Sequence, residues 1–312
     1  LAIDIMFAVL GLLAGIALLA YSSDKAVEHS VSIASGLGIS PLMIGLVIVS
    51  LGTDLPEILN SIISSAAGHG DINVGDSFGS VLVQMTLILG LVALLGGTFK
   101  VKRDEIIVIG ACEILALIAS VSMVEKGYIS RMNAVFLVAS WPILMLIIKN
   151  VMKREYTVTK TDPRLFYHFV IAIIGYVGVA VGSYVVVNSV IALSKETHVS
   201  EYVISFFVVA IGTSLPEFAV DLTAVRKKQY EIAIGDAIGS CIVDAGFSIG
   251  IGPLLFPITV SGRLAETTGL YALFASIVVM TTIALRERLD RKAGILLIIL
   301  YGLSYLVLYV LT

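Results

Sequence analysis

The sequence predicts an all-α integral membrane protein of ten transmembrane helices arranged as two inverted five-helix repeats. Three observations carry this reading. The composition is 58% hydrophobic and 14% charged, with a mean hydropathy of +1.03, whereas soluble domains are about 25% charged. Apolar runs of about 20 residues, each long enough to cross a bilayer, recur along the chain. Two hexapeptides, GTDLPE at 52–57 and GTSLPE at 212–217, place a carboxylate and a helix-disrupting proline inside such runs. Each is followed at the same spacing by a second motif, GDSFGS from Gly75 and GDAIGS from Gly235. A duplicated, proline-broken, acidic helix pair points to an ion site in a repeat-built transporter.

The ten expected spans cover about residues 4–29, 41–67, 75–97, 105–124, 131–150, 166–193, 202–225, 231–256, 267–285 and 293–311. Charged joints separate them, among them Lys100 to Glu105, Arg226-Lys227-Lys228 and Arg286-Glu287-Arg288. The longest polar stretch divides the chain into a first repeat at 1–150, a cytoplasmic linker at 151–164 and a second repeat at 165–312. The first apolar run continues past the length of a signal peptide, so it reads as a span. Connections after odd-numbered spans hold most of the lysine and arginine, including Lys100, Lys102, Arg103, Lys149, Lys153, Arg226, Lys227, Lys228, Arg288, Arg291 and Lys292. Connections after even-numbered spans hold Lys126, Arg131, Lys195 and Arg263. The positive-inside rule then puts the basic side in the cytoplasm and both termini outside, in the cell membrane. Five helices per half force opposite orientations on the two halves. Ungapped similarity between 42–91 and 202–251 falls on Gly, Pro, Glu and Ser, the types that shape backbone and site.

Chemistry is expected at the two breaks. Pro56 lacks an amide hydrogen and crowds the turn at Gly52, loosening the helix just where Thr53 and Glu57 face one way. Gly212, Thr213, Pro216 and Glu217 repeat the arrangement. Two carboxylates, two hydroxyls and loosened carbonyls make an all-oxygen set of the kind Ca²⁺ takes. A purely structural kink is the alternative, but two copies in register would then bury two carboxylates at a cost of about 2.5–3.5 kcal/mol each. In the following helices Asp76, Ser80 and Gln84, and Asp236, Ser240 and Asp244, are spaced by four and share a stripe. The four later residues are candidate direct ligands or partners of the glutamates. Asp76 and Asp236 follow a glycine and also suit a helix N-cap. Asp221 reads as lining an entry path, and Glu113 as a proton-path or paired carboxylate in mid-span. Histidines 29, 69, 168 and 198 read as solvated or interfacial. Cys112 and Cys241 read as small packing residues rather than a disulfide. The net charge of −3 gives no case for nucleic acid.

With these motifs, the chain resembles the calcium/cation antiporter superfamily, which includes sodium/calcium and cation/proton exchangers. The resemblance covers essentially the whole chain. It implies Ca²⁺ held between the second, third, seventh and eighth helices, with Glu57 and Glu217 similar to the central ligands and Thr53 and Thr213 to the carbonyl donors. Sodium-coupled members usually have Ser where this chain has Asp54, while Ser214 keeps the usual residue. They usually have Asn where it has Asp76 and Asp236. Gln84 occupies an Asn-type position and Asp244 an acidic one. The extra acids resemble the proton-coupled branch, whereas the retained prolines resemble sodium exchangers. The expected function is therefore a secondary antiporter exporting Ca²⁺ in exchange for H⁺, with Na⁺ as the alternative counter-ion and no cofactor. The expected partners are the lipid bilayer and inorganic cations, and no oligomeric state is implied. A cation channel fits a closed inverted repeat less well, and no His-rich or Ser/His constellation suggests an enzyme.

Overall fold

The computed structural model describes residues 2–34, 41–152 and 164–311. The chain is built almost entirely of helix. The first half runs α1 (Ala2–Ala34), α2 (41–53), α3 (Leu55–Ala66), α4 (Gly70–Leu95), α5 (Arg103–Val124) and α6 (Arg131–Met152). The second half repeats that order as α7 (Leu165–Thr197), α8 (201–213), α9 (Leu215–Arg226), α10 (Tyr230–Leu255), α11 (Gly262–Arg286) and α12 (Arg291–Leu311). Among the described residues, six helices are long and apolar enough to cross a membrane. The pair α2–α3, bent by 50° at its break, makes a seventh. Met152 ends α6, so most of the expected linker, Lys153 included, lies outside the described residues.

Two local features depart from simple α-helix. The breaks fall at Asp54 and Ser214, the residues between the two arms, where proline sits in the first turn of α3 and α9 and needs no amide partner. Four π-helical segments, Ile44–Val49, Val83–Ile88, Ser205–Val209 and Val243–Ser248, widen α2, α4, α8 and α10 at matching positions. π turns collect at functional sites because they misalign the backbone ladder and re-aim side chains. The helix starts also correct the capping alternative for the two aspartates. Helices α4 and α10 begin at Gly70 and Tyr230, six residues upstream of Asp76 and Asp236, which leaves both acids in the helix interior and buried.

The halves interlock. Helix α2 packs on α10 and α8 packs on α4. Gly45 meets the backbone of Ile232 and Asp236, and Gly79 meets the Phe206 carbonyl and Ala210, so these crossings are as close as backbones allow. One large core spans α4, α5, α6, α10, α11 and α12, while a smaller one lies mainly between α1 and α7. The outer faces of α1 and α7 expose Phe7, Leu10, Leu13, Phe166 and Ile174, as lipid contact requires.

Four short strands, absent from the sequence reading, join the connectors. β1 (Phe99–Lys100) pairs antiparallel with β4 (Arg288–Leu289), and β2 (Tyr128–Ile129) pairs with β3 (Ile258–Thr259). At the first rim Lys102 reaches Glu231 at 3.0 Å, and Asp290 takes Arg286 at 2.5 Å and Arg288 at 3.2 Å. The Ala293 amide and these two guanidiniums hold the Asp290 carboxyl below the usual carboxylate range. At the other rim Asp71 accepts from the Ser261 hydroxyl at 2.6 Å, and His69 Nδ1 lies 2.7 Å from Glu201. His69 is therefore paired across the halves rather than simply solvated.

Candidate cation site

The crossings bring each broken helix onto the other half's acidic stripe. Thr53, at the end of α2, donates to the Val49 and Ser50 carbonyls, both at 3.2 Å. The same hydroxyl lies 3.3 Å from Asp236 Oδ1 and 3.4 Å from Ser240 Oγ on α10. Thr213 repeats this toward α4, at 3.1 Å from Asp76 Oδ1 and 3.4 Å from Ser80 Oγ, while holding the Val209 carbonyl at 3.2 Å. Ser80 also donates to Glu57 Oε1 at 3.3 Å. Gln84 and Asp244, each the second residue of a π segment, meet across the halves with Nε2 donating to Oδ2 at 3.2 Å. All twelve sequence-predicted residues are buried.

At the middle, ligand oxygens of Asp54, Glu57 and Glu217 lie within 4.8 Å of one another. Both carboxylate oxygens of Asp54 and of Glu217, Glu57 Oε2, Asp236 Oδ2, Asp244 Oδ1 and Ser214 Oγ have no hydrogen-bond partner. Among the described residues, no Lys or Arg forms an ion pair with any of these acids. Buried carboxylates without donors are costly unless a proton or a cation neutralises them. The donor set is entirely oxygen, which suits hard cations such as Ca²⁺ and Na⁺ over metals that prefer sulfur or nitrogen.

The halves are alike but not identical. Asp76 accepts from Asn60 Nδ2 at 2.5 Å. Asp221, by contrast, is itself an acid, fully buried, that interacts with Asp236. Asn60 escaped the sequence reading; its signal was an amide three residues after Glu57, on a helix that also carries Ser61, Ser64 and Ser65. Glu113 stands apart, paired with Ser276 of α11 at 2.6 Å. Both cysteines are free and buried, and the Cys241 thiol lies 3.3 Å from Gln84 Oε1.

Apolar spans wrapped around a buried acidic centre define an integral membrane protein with an internal, oxygen-lined polar core. Residues 7–149 and 167–310 match the family described as sodium/calcium exchanger protein, and the chain belongs to that family. A relative from Methanocaldococcus jannaschii, the uncharacterized membrane protein MJ0091, is 30% identical over 93% of this chain and 94% of its own. The putative antiporter CaxA of Alkalimonas amylolytica is 27% identical over 96% of this chain and 98% of its own. A solved structure of the sodium-calcium exchanger NCX_Mj, soaked with Na⁺ and Sr²⁺, superposes with a TM-score of 0.70 at 28% identity, covering 96% of this chain and 98% of that one.

Proposed function

We propose that the chain is a secondary antiporter that moves Ca²⁺ out of the cytoplasm against an inward flow of H⁺, with Glu57 and Glu217 as the shared ion ligands. The observation that carries this reading is the buried oxygen cluster of Asp54, Glu57 and Glu217, in which Glu57 Oε1 alone has a hydrogen-bond donor and with which no Lys or Arg among the described residues pairs. Thr53 and Thr213 hold the broken helix ends and direct backbone oxygens toward it. Asp76, Ser80, Gln84, Ser214, Asp236, Ser240 and Asp244 complete the polar lining. Ca²⁺ binds when the carboxylates are ionised, and protons arriving from the opposite side neutralise them and release it. Asp54, Asp76 and Asp236 favour H⁺ because each is an acid at a position where a neutral oxygen would suffice to hold Na⁺. The Na⁺-coupled reading of the same machine is favoured by the likeness to a sodium-calcium exchanger.

The two are separated in proteoliposomes loaded with Ca²⁺. An imposed pH gradient without Na⁺ is expected to drive Ca²⁺ movement, and Asp54→Ser to weaken that coupling while flux persists. Flux that requires Na⁺ and ignores pH rejects proton coupling and promotes the sodium reading. If Asp54 only braces the break, its substitution lowers all flux equally with no change in pH dependence.

The same reading gives ten spans in two inverted halves, 1–150 and 165–312, joined by a cytoplasmic linker at 151–164. Strand pairing supports the inversion. β3 occupies the position in its half that β1 occupies in the first, yet β1 pairs with β4 and β2 with β3. Equivalent connectors therefore sit at opposite rims. The rim of β1 and β4 gathers Lys100, Lys102, Arg288, Arg291 and Lys292, which supports a cytoplasmic location for that rim and, with it, the reading of both termini outside. Single cysteines at 102, 227 and 292 are expected to react only from the cytoplasm, and those at 70, 126 and 261 only from outside, in a background lacking Cys112 and Cys241. Labelling of 102 and 292 from opposite sides sinks the orientation.

A further inference from the structure

A second cluster of metal-ligating atoms lies away from the oxygen centre. His29 of α1 and His168 of α7 face one another, with one Nδ1–H donating to the other Nδ1 at 2.7 Å. Each residue is only 8% exposed, and the ring centroids are 4.9 Å apart. Tyr167 walls the pair edge-on, 5.5 Å from His29 and 5.6 Å from His168. The Glu28 carboxylate lies within electrostatic reach of both imidazoles and is held by Lys25 at 2.8 Å. The sequence suggests solvated or interfacial histidines; these two are buried against each other near the ends of their helices. Two imidazole nitrogens brought together across a helix pair need only small ring rotations to converge on one metal ion.

We propose that His29 and His168 form a transition-metal site that bridges α1 and α7 and takes a borderline divalent ion such as Zn²⁺. Imidazole suits such ions, whereas the central oxygen cluster suits hard ones, so the two sites differ in ligand chemistry. Tetrahedral Zn²⁺ with Zn–N of about 2.0–2.1 Å needs its nitrogens about 3.3 Å apart. The nitrogens, 2.7 Å apart, therefore separate by about 0.6 Å, a change that side-chain rotations supply. Both rings coordinate as neutral imidazoles, the shared hydrogen moving to Nε2 of its own ring. Glu28 and water complete the shell at its exposed side. An occupied site ties together two helices that otherwise meet through apolar side chains and small residues, Leu12, Leu19, Val186 and Val190 among them.

The test is thermal unfolding of the full purified chain titrated with ZnCl₂, with Ca²⁺ absent and with Ca²⁺ saturating. A ligand that binds only the folded state raises Tm with its concentration. The wild type is expected to show this rise under both conditions. His29→Gln and His168→Gln are expected to lose it, and Glu28→Gln to need several-fold more Zn²⁺. The rise persists in Glu57→Gln and Glu217→Gln, which separates this site from the oxygen centre whatever the transported ions prove to be. An unchanged Ca²⁺ response in the histidine variants shows that they fold. In wild-type proteoliposomes Zn²⁺ is expected to inhibit flux, reversibly on chelation, and to leave His29→Gln flux unaffected. An equal Zn²⁺ response in wild type and histidine variants, or none in the wild type, overturns the proposal.

Discussion

Glu217→Gln and Glu57→Gln are each expected to lower Ca²⁺ exchange by at least about 100-fold while the chain stays folded. Breaking one partner of a buried charge interaction costs about 3–5 kcal/mol, and each 1.4 kcal/mol is about tenfold in affinity. The amide matches the carboxylate in shape but removes a charge from a centre that supplies no cation of its own. The two substitutions differ in what they do to the ion-free protein. Glu57 already accepts from Ser80, whereas neither oxygen of Glu217 has a donor. Glu217→Gln relieves repulsion from Asp54 and Glu57, so its melting temperature without Ca²⁺ is expected to equal or exceed that of the wild type. Flux measured at equal protein abundance, together with the Ca²⁺-dependent melting shift, checks both parts. Near-normal transport by either variant rules out the central assignment.

Gly79→Val is expected to prevent assembly of the two halves. A Cβ there would run into the Phe206 carbonyl and the Ala210 side chain of α8, backbone and methyl groups with no room to retreat. Overpacking a tight interior costs about 1–3 kcal/mol when side chains can shift, and more where the obstacle is a carbonyl. Because Thr213 is carried on the same helix as Phe206, any widening also separates Thr213 from Asp76 and Ser80. Gly302→Ala is the control, since a Cβ at that helical position meets nothing within 4 Å. Its expected effect is neutral to slightly stabilising. Folded yield by size-exclusion chromatography and the melting temperature are the readouts, and a Gly79→Val protein that matches Gly302→Ala in both refutes the close crossing.

Most of the centre was legible because its signals are local. Proline, glycine and glutamate at fixed offsets, doubled along the chain, state both the break and the charge without reference to tertiary contacts. Spacing by four predicts one stripe for Asp76, Ser80 and Gln84, whereas burial does not single it out, because Ile72 to Leu82 are buried on every side. Other features depend on what the helices meet. The π segments leave no sequence mark, since their cause is the packing that lets a wide turn survive. A glycine precedes Asp76 and Asp236, which suits a cap, but the helices begin six residues earlier, with His69 and Gln229 at the N-cap positions and no side chain of theirs capping. Asn60 and Asp221 gained their meaning only when Asp76 and Asp236 came opposite them. The two-residue strands are too short for any alternation to show.

The strand pairing bears on how such a chain can be made. β1 and β2 belong to the first half, and their partners β4 and β3 to the second. Neither half can close its own ribbons, and each alone presents two unpaired edges together with half of an acidic cluster. Pairing of this kind makes each half the template on which the other closes. Two separately translated polypeptides, divided between α6 and α7, are expected to associate in the bilayer, and co-purification of the pair through a tag on one half checks it.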